Sequence, residues 1–189
     1  MILKLVPDYY YTTIEDIPYD KLYADGVRLI LTDLDNTLIS YKAEEPTPEL
    51  FKWKEKVLGM GFEVIIVYNS RKNRVSHFAN ILGLPFVKFA KKPTKFGMKK
   101  ALKIASRKYE LNEIVELGDQ VMTDVFASRR MNIITILVKA IDRKTEVFTT
   151  RINRKLEKFF LGRIKKKYPL IYKEKLLKYV EEKDDYKEV

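Results

Sequence analysis

The chain has 189 residues, no cysteine and a formal net charge of +11. That length suits one domain with an ample core, and the lack of cysteine excludes disulfides and thiolate chemistry. The basic balance favours anionic partners: nucleic acid, acidic lipid surfaces or phosphorylated substrates.

Residues 1–26 read as a leader packed on the core, without a functional signal. Leu3, Leu5, Val6 and Tyr9–Tyr11 offer apolar surface, and a turn with a short helix is expected over residues 17–23. Met1–Val6 is too short for the apolar part of a signal peptide, and no apolar run reaches membrane-spanning length. The expected location is cytoplasmic.

Residues 27–140 read as the core. Leu29-Ile30-Leu31 suits a strand buried on both faces, and it stops at Asp33-Leu34-Asp35. Asn36 and Thr37 supply turn chemistry there. An EF-hand calcium loop is disfavoured, since that pattern needs Gly where Leu38 stands. Thr47-Pro48 starts a helix that runs to about Leu58, with Thr at the cap and Pro at the first helical position. Phe62–Val67 is a second strand ending in Tyr68-Asn69-Ser70, and Arg71–Leu82 a second helix. Pro85–Ala90 is a third strand, followed by Lys91-Lys92-Pro93 and a helix over Thr94–Tyr109. Ile114–Leu117 is a fourth strand ending in Gly118-Asp119. A helix over Val121–Met131 and a strand over Ile133–Val138 complete the core. Strand and helix alternate with short connections. The pattern predicts an α/β, three-layer Rossmann-like fold with a mainly parallel five-stranded sheet.

Right-handed crossovers in such a sheet put the strand ends on one edge. One crevice then holds Asp33, Asp35, Asp119 and a lysine, Lys92 being favoured over Lys91. Crowded carboxylates repel unless a cation sits among them, and an all-oxygen set suits Mg2+ rather than zinc. Metal plus lysine beside a carboxylate nucleophile reads as phosphoryl transfer. The candidate catalytic residues are Asp33, Asp35 and Lys92. Asn36 and Thr37 follow the first of these strand ends, and Tyr68, Asn69 and Ser70 form the second.

D-L-D-N-T-L at 33–38, the lysine before Pro93 and G-D-Q-V-M-T-D at 118–124 resemble the four motifs of haloacid-dehalogenase-superfamily phosphatases. The resemblance implies that Asp33 forms an aspartyl-phosphate and that Asp35 protonates the leaving alcohol and then activates water. It implies that Lys92 holds phosphate and nucleophile. Mg2+ would sit on Asp33, Asp35 (through its backbone carbonyl) and Asp119, with Asp124 in support. Tyr68 stands where that family carries a Ser or Thr on the phosphoryl oxygens, so the resemblance implies substrate contacts at Tyr68, Asn69 or Ser70, with Asn36 and Thr37 of the first motif beside them. Neither usual insertion point leaves room for a cap domain. The leader Leu5-Val6-Pro7-Asp8, G-D-Q-x-x-T-D-V and T-R-I-N-R at 150–154 resemble the capless subclass IIIA branch that includes phosphatidylglycerophosphate phosphatases. That branch implies a phosphomonoester on a large or membrane-borne substrate.

Residues 141–189 read as a basic helical extension. Between Arg151 and Lys178 eleven Lys and Arg face two acids. Ile152, Leu156, Phe159, Phe160 and Ile164 recur at helical spacing, and a second helix is expected from Pro169 through Val180. Such a basic amphipathic stretch, residues 150–178, suits an anionic membrane surface and a peripheral place on the inner membrane face; packing on the core alone is the competing reading. Two other functions stay open: an RNA- or ribosome-binding module on the same fold, or a soluble small-metabolite phosphatase. Nucleic acid is the weaker partner, because no aromatic residues interleave with the basic ones as a stacking platform.

Overall fold

The computed structural model describes residues 2–70, 73–143 and 148–184. The strands are β1 (Tyr9–Tyr11), β2 (Leu29–Thr32), β3 (Glu63–Val67), β4 (Phe86–Val87), β5 (Ile114–Gly118) and β6 (Ile134–Val138). They form one sheet in the order β1-β6-β5-β2-β3-β4, and every pairing is parallel. The helices are α1 (Tyr19–Ala24), α2 (Pro48–Gly59), α3 (Arg74–Leu82), α4 (Phe96–Ile104), α5 (Phe126–Arg129), α6 (Phe148–Lys167), α7 (Pro169–Lys175) and α8 (Leu177–Asp184).

Strand alternation divides the core. Ile30, Val64 and Ile66 join Trp53, Val57, Val75 and Phe78 on the face covered by α1, α2 and α3. Leu29, Leu31, Ile65 and Val67 join Met98, Ala101 and Ala127 on the opposite face. This is the expected three-layer α/β arrangement. β2 lies between β5 and β3, so its carboxyl end opens at the middle of the edge where all the parallel strands finish.

Thr47 caps α2 as read from sequence, its hydroxyl accepting from Leu50 N at 3.3 Å with Pro48 behind it. Such a cap contributes ~1 kcal/mol. Gly83, left-handed at φ 66°, closes α3. The start expected for that helix at Arg71 lies outside the described residues.

Several expectations need correction. The sheet has six strands, because the leader supplies β1, paired with β6. Asp8 locks that edge: Thr135 N donates to its carboxylate at 2.9 Å, and Arg129 pairs with it at 2.6 Å. The third strand shrinks to two residues, since Phe89 and Lys91 take positive φ and turn the chain away. α4 ends at Ile104, where Ala105 is extended and Glu63 accepts from Ser106 N. The helix after β5 opens with a wide π turn over Val121–Val125. The tail breaks at Leu176, separating α7 from α8, and α8 runs to Asp184.

Tail and leader share a third core cluster: Leu5, Val6, Leu137, Leu161, Ile164, Tyr172, Leu176 and Tyr179. The inner face of the tail therefore packs on the core. Among the described residues, no helix is long and apolar enough to cross a membrane.

Candidate active site

The carboxyl ends of β2, β3 and β5 and the loop after β4 meet around a crevice of about 530 Å³. Asp33, directly after β2, receives Lys92 Nζ on Oδ1 at 2.8 Å. The same ammonium lies 2.5 Å from Asp124 Oδ1 and 3.8 Å from Glu116 Oε1. The lysine is steered there by its backbone: Asn69 Oδ1 accepts from Lys92 N at 2.6 Å, and Asn69 Nδ2 donates to Lys92 O at 3.0 Å. The side-chain amide of Asn69 thus positions Lys92.

Two glycines admit this packing. A Cβ on Gly118 would fall 2.3 Å from Asp124 Cβ, and one on Gly97 would fall 2.3 Å from Ala90 Cβ. Both contacts lie against atoms with no room to yield. Gly118 lets Asp124 fold back beneath β5, and Gly97 lets α4 press on the loop that carries Lys92.

Asp35 sits apart from Lys92. Its Oδ1 receives Arg74 Nε at 2.7 Å, and its Oδ2 accepts from the Tyr68 hydroxyl. Arg74 is tethered in turn to the carbonyls of Ala43 and Ser40 at 2.5 and 2.9 Å. Tyr68 therefore spends its hydroxyl on Asp35. Burial, followed by the Asp35 carboxylate, pushes the Tyr68 phenol above its ordinary value, so it remains a donor.

Asp119 is completely buried. Arg154, from α6, reaches its Oδ2 at 2.5 Å and its backbone oxygen at 2.9 Å. Asp124 Oδ2 accepts from Gln120 N at 3.0 Å. Asn36, left-handed at φ 62°, is tied to the loop after β6: its Oδ1 accepts from Asp142 N and its carbonyl from Ile141 N. Ser70 lines the crevice with Asn36, Tyr68 and Asn69. Thr37 does not: it lines a separate cavity with Thr12–Glu15 and Val138–Ile141, and its buried Oγ1 has no hydrogen-bond partner among the described residues.

Sequence reasoning missed Arg74, Glu116, Arg154, Thr150 and Asn153. Thr150 and Asn153, on the first turns of α6, line the crevice together with the strand ends. Both belong to the T-R-I-N-R stretch, which was the available signal. Glu116 is hidden inside the apolar run of β5; the serine hydroxyl of Ser128 donates to it.

The electrostatics are unbalanced. Burial, aided by Asp124 and Asp119 and opposed by Lys92, pushes the Asp33 carboxyl up to about 8. Glu116 is also raised well above its ordinary value, again chiefly by burial. Burial alone would lower Lys92, but Asp124, Asp33 and Glu116 outweigh it and hold the ammonium above its usual range. Four buried carboxylates (Asp33, Glu116, Asp119 and Asp124) thus meet two cations, Lys92 and Arg154. An all-oxygen donor set with excess negative charge fits a hard divalent cation. As placed, no group of three or more acidic or histidine side chains among the described residues forms a metal site; Asp33, Asp119 and Asp124, with the backbone of Asp35, remain the set expected from the sequence.

No family model matches the chain. It is 38% identical over 164 residues to a Bacillus subtilis (strain 168) protein described as "Probable phosphatase YqeG", a match spanning 86% of this chain and 92% of that protein. Among solved structures it is similar to hypothetical protein XCC2798 from Xanthomonas campestris, with 16% identity, a TM-score of 0.49, and coverage of 68% of this chain and 72% of that one. It is also similar to a "putative HAD superfamily (subfamily III A) hydrolase" from Legionella pneumophila, with 18% identity, a TM-score of 0.40, and coverage of 54% and 59%.

Proposed function

The chain belongs to the family of the Bacillus subtilis probable phosphatase YqeG, and from that premise we propose that it is a phosphatase of the haloacid-dehalogenase type, hydrolysing phosphomonoesters through an aspartyl-phosphate on Asp33. The observation that carries this reading is the contact of Lys92 with both Asp33 and Asp124, which joins three separate loops at one point. Asp33 attacks phosphorus, and the P–O bond to the leaving alcohol breaks. Asp35, taking up a proton as Arg74 or Tyr68 releases one of its oxygens, gives that proton to the alcohol. It then takes a proton from the water that attacks the aspartyl-phosphate, releasing inorganic phosphate and restoring Asp33. Lys92 offsets the charge gathering on the phosphoryl oxygens. Bound Mg2+ would supply Lewis-acid polarisation of the phosphoryl group. Tyr68 and Arg74 hold Asp35 from both oxygens, fixing its direction, while Asn69 keeps Lys92 in place.

The substrate proposed is a phosphate displayed on something large or membrane-borne, with phosphatidylglycerophosphate as the leading candidate. Two features support this. Only one loop and α2 separate β2 from β3, and only α3 lies between β3 and β4, so among the described residues no cap covers the crevice. The extension beside it is strongly basic. The expected place of action is the inner membrane face.

Purified protein should release phosphate from p-nitrophenyl phosphate with Mg2+ and stop on chelation. Asp33→Asn should reduce the rate by at least about a thousandfold; equal rates would end the proposal. A panel of phosphatidylglycerophosphate in mixed micelles against soluble sugar and nucleotide phosphates tests the substrate class. Preference for the soluble esters would replace the lipid assignment.

A further inference from the structure

α6 has two apolar faces. Leu161 and Ile164 are buried against the core with Leu5, Leu137 and Tyr172. Ile152, Leu156 and Phe159 point the opposite way and remain 44%, 44% and 57% exposed. At helical spacing i, i+4 and i+7 they form one stripe, which Arg163 continues with its guanidinium 5.8 Å from the Phe159 ring. Exposed Lys155 and Lys166 run along one flank of the stripe and exposed Lys167 along the other.

Three large apolar side chains in line on the outer face each leave about half of their surface uncovered. Their basic frame selects what covers them. A second copy would oppose like charge to like charge. A nucleic-acid backbone would satisfy the lysines but leave Ile152 and Leu156 in water. An anionic lipid surface satisfies both: apolar side chains enter the headgroup boundary, while lysine stems lie alongside with their ammonium groups on the phosphates. The stripe also begins within one helical turn of Thr150 and Asn153, which line the crevice.

We propose that the outward face of α6 lays the enzyme on an anionic phospholipid surface, bringing the crevice to headgroup level. The inference rests on the phosphatase reading for its purpose but not for its test. Full-length protein should sediment with vesicles of equal parts phosphatidylcholine and phosphatidylglycerol, and weakly with phosphatidylcholine alone. The triple variant Ile152→Ser, Leu156→Ser, Phe159→Ser should lose at least about tenfold in partitioning while hydrolysing p-nitrophenyl phosphate at the unaltered rate. Phe159→Trp should be quenched by brominated acyl chains. Unchanged sedimentation of the triple variant, or absence of quenching, overturns the proposal. So does a dimer that the triple variant abolishes, or RNA binding that it weakens, either of which gives the face to another occupant. Asp33→Asn should bind vesicles like the unaltered protein. If the unaltered protein binds vesicles but hydrolyses nothing, the catalytic reading fails and the docking face stands.

Discussion

Two buried ionic clusters sit side by side in this molecule, and they are built to opposite ends. Around Lys92, the carboxylates Asp33, Asp124 and Glu116 crowd a single ammonium, and Asp33 is driven up to about 8. Around Glu157, a single carboxylate meets Arg154 at 3.3 Å, the Tyr179 hydroxyl at 2.8 Å and Lys183. Burial would raise Glu157 as well, but Arg154 and Lys183 outweigh it and hold it below its ordinary value. Equal burial with opposite outcomes separates a site left short of positive charge from one that is internally satisfied. The first suits a bound cation and the chemistry proposed above; the second suits a structural lock. Arg154 belongs to both, since its other contact is Asp119.

The largest expected effect breaks the first cluster. Lys92→Ala should lower kcat by about a hundredfold to a thousandfold while leaving three carboxylates facing one another. Divalent cation should recover stability in that variant more than activity, read by thermal melts beside phosphate release. In the second cluster the expected pattern reverses. Glu157→Ala leaves Arg154 and Lys183 with a buried charge to disperse and should destabilise by roughly 3–5 kcal/mol, with much smaller loss of activity per folded molecule. Arg154→Ala tests the link: Mg2+ affinity, measured by the shift of the melting curve with titrated metal, should weaken by about tenfold to a hundredfold.

The two clusters also predict opposite pH arms for the metal-free protein. Folded Asp33 keeps a proton that the unfolded chain has released, so stability falls as pH climbs from about 4 to about 8. Glu157 contributes stability that is present above its ordinary value and is lost as pH drops through its lowered one. Melting with chelator should therefore peak at intermediate pH, and Mg2+ should lift the alkaline arm more than the acid arm. A flat alkaline arm would remove the contrast between the clusters. The smallest change is Tyr68→Phe. It deletes one donor to Asp35 and leaves Arg74 in place, and it should cost about tenfold or less in kcat.

What was legible in the sequence was whatever lies at a strand end or within one short motif. Asp33, Asp35 and Asp119 announce themselves because apolar strand runs stop where they begin, and Lys92 because it stands before Pro93 in the loop after the third run. Asp124 follows from a turn of helix. Glu116 was concealed by the buried strand around it, since its environment is made by Lys92 and Ser128 from other segments. Arg154 lies in the T-R-I-N-R stretch, yet its partner was not legible and neither was that of Arg74, because 35 and 39 positions separate them from Asp119 and Asp35 and only the folded chain pairs them. Tyr68 sits at the expected strand end, but its long side chain carries the hydroxyl to Asp35. The three tyrosines of β1 show no alternation of polar and apolar residues, so an edge strand paired more than a hundred positions away gave no periodic signal.

The shared cluster of leader and tail has a consequence for how the protein is made. Leu5 and Val6 leave the ribosome well before Tyr172, Leu176 and Tyr179, yet they are packed together. Until Tyr179 and Lys183 emerge, Glu157 lacks two of its partners, and the arginine it shares with Asp119 is not yet fixed. The nascent chain can assemble its central strands early, but the surroundings of Asp119 are complete only once α8 has emerged.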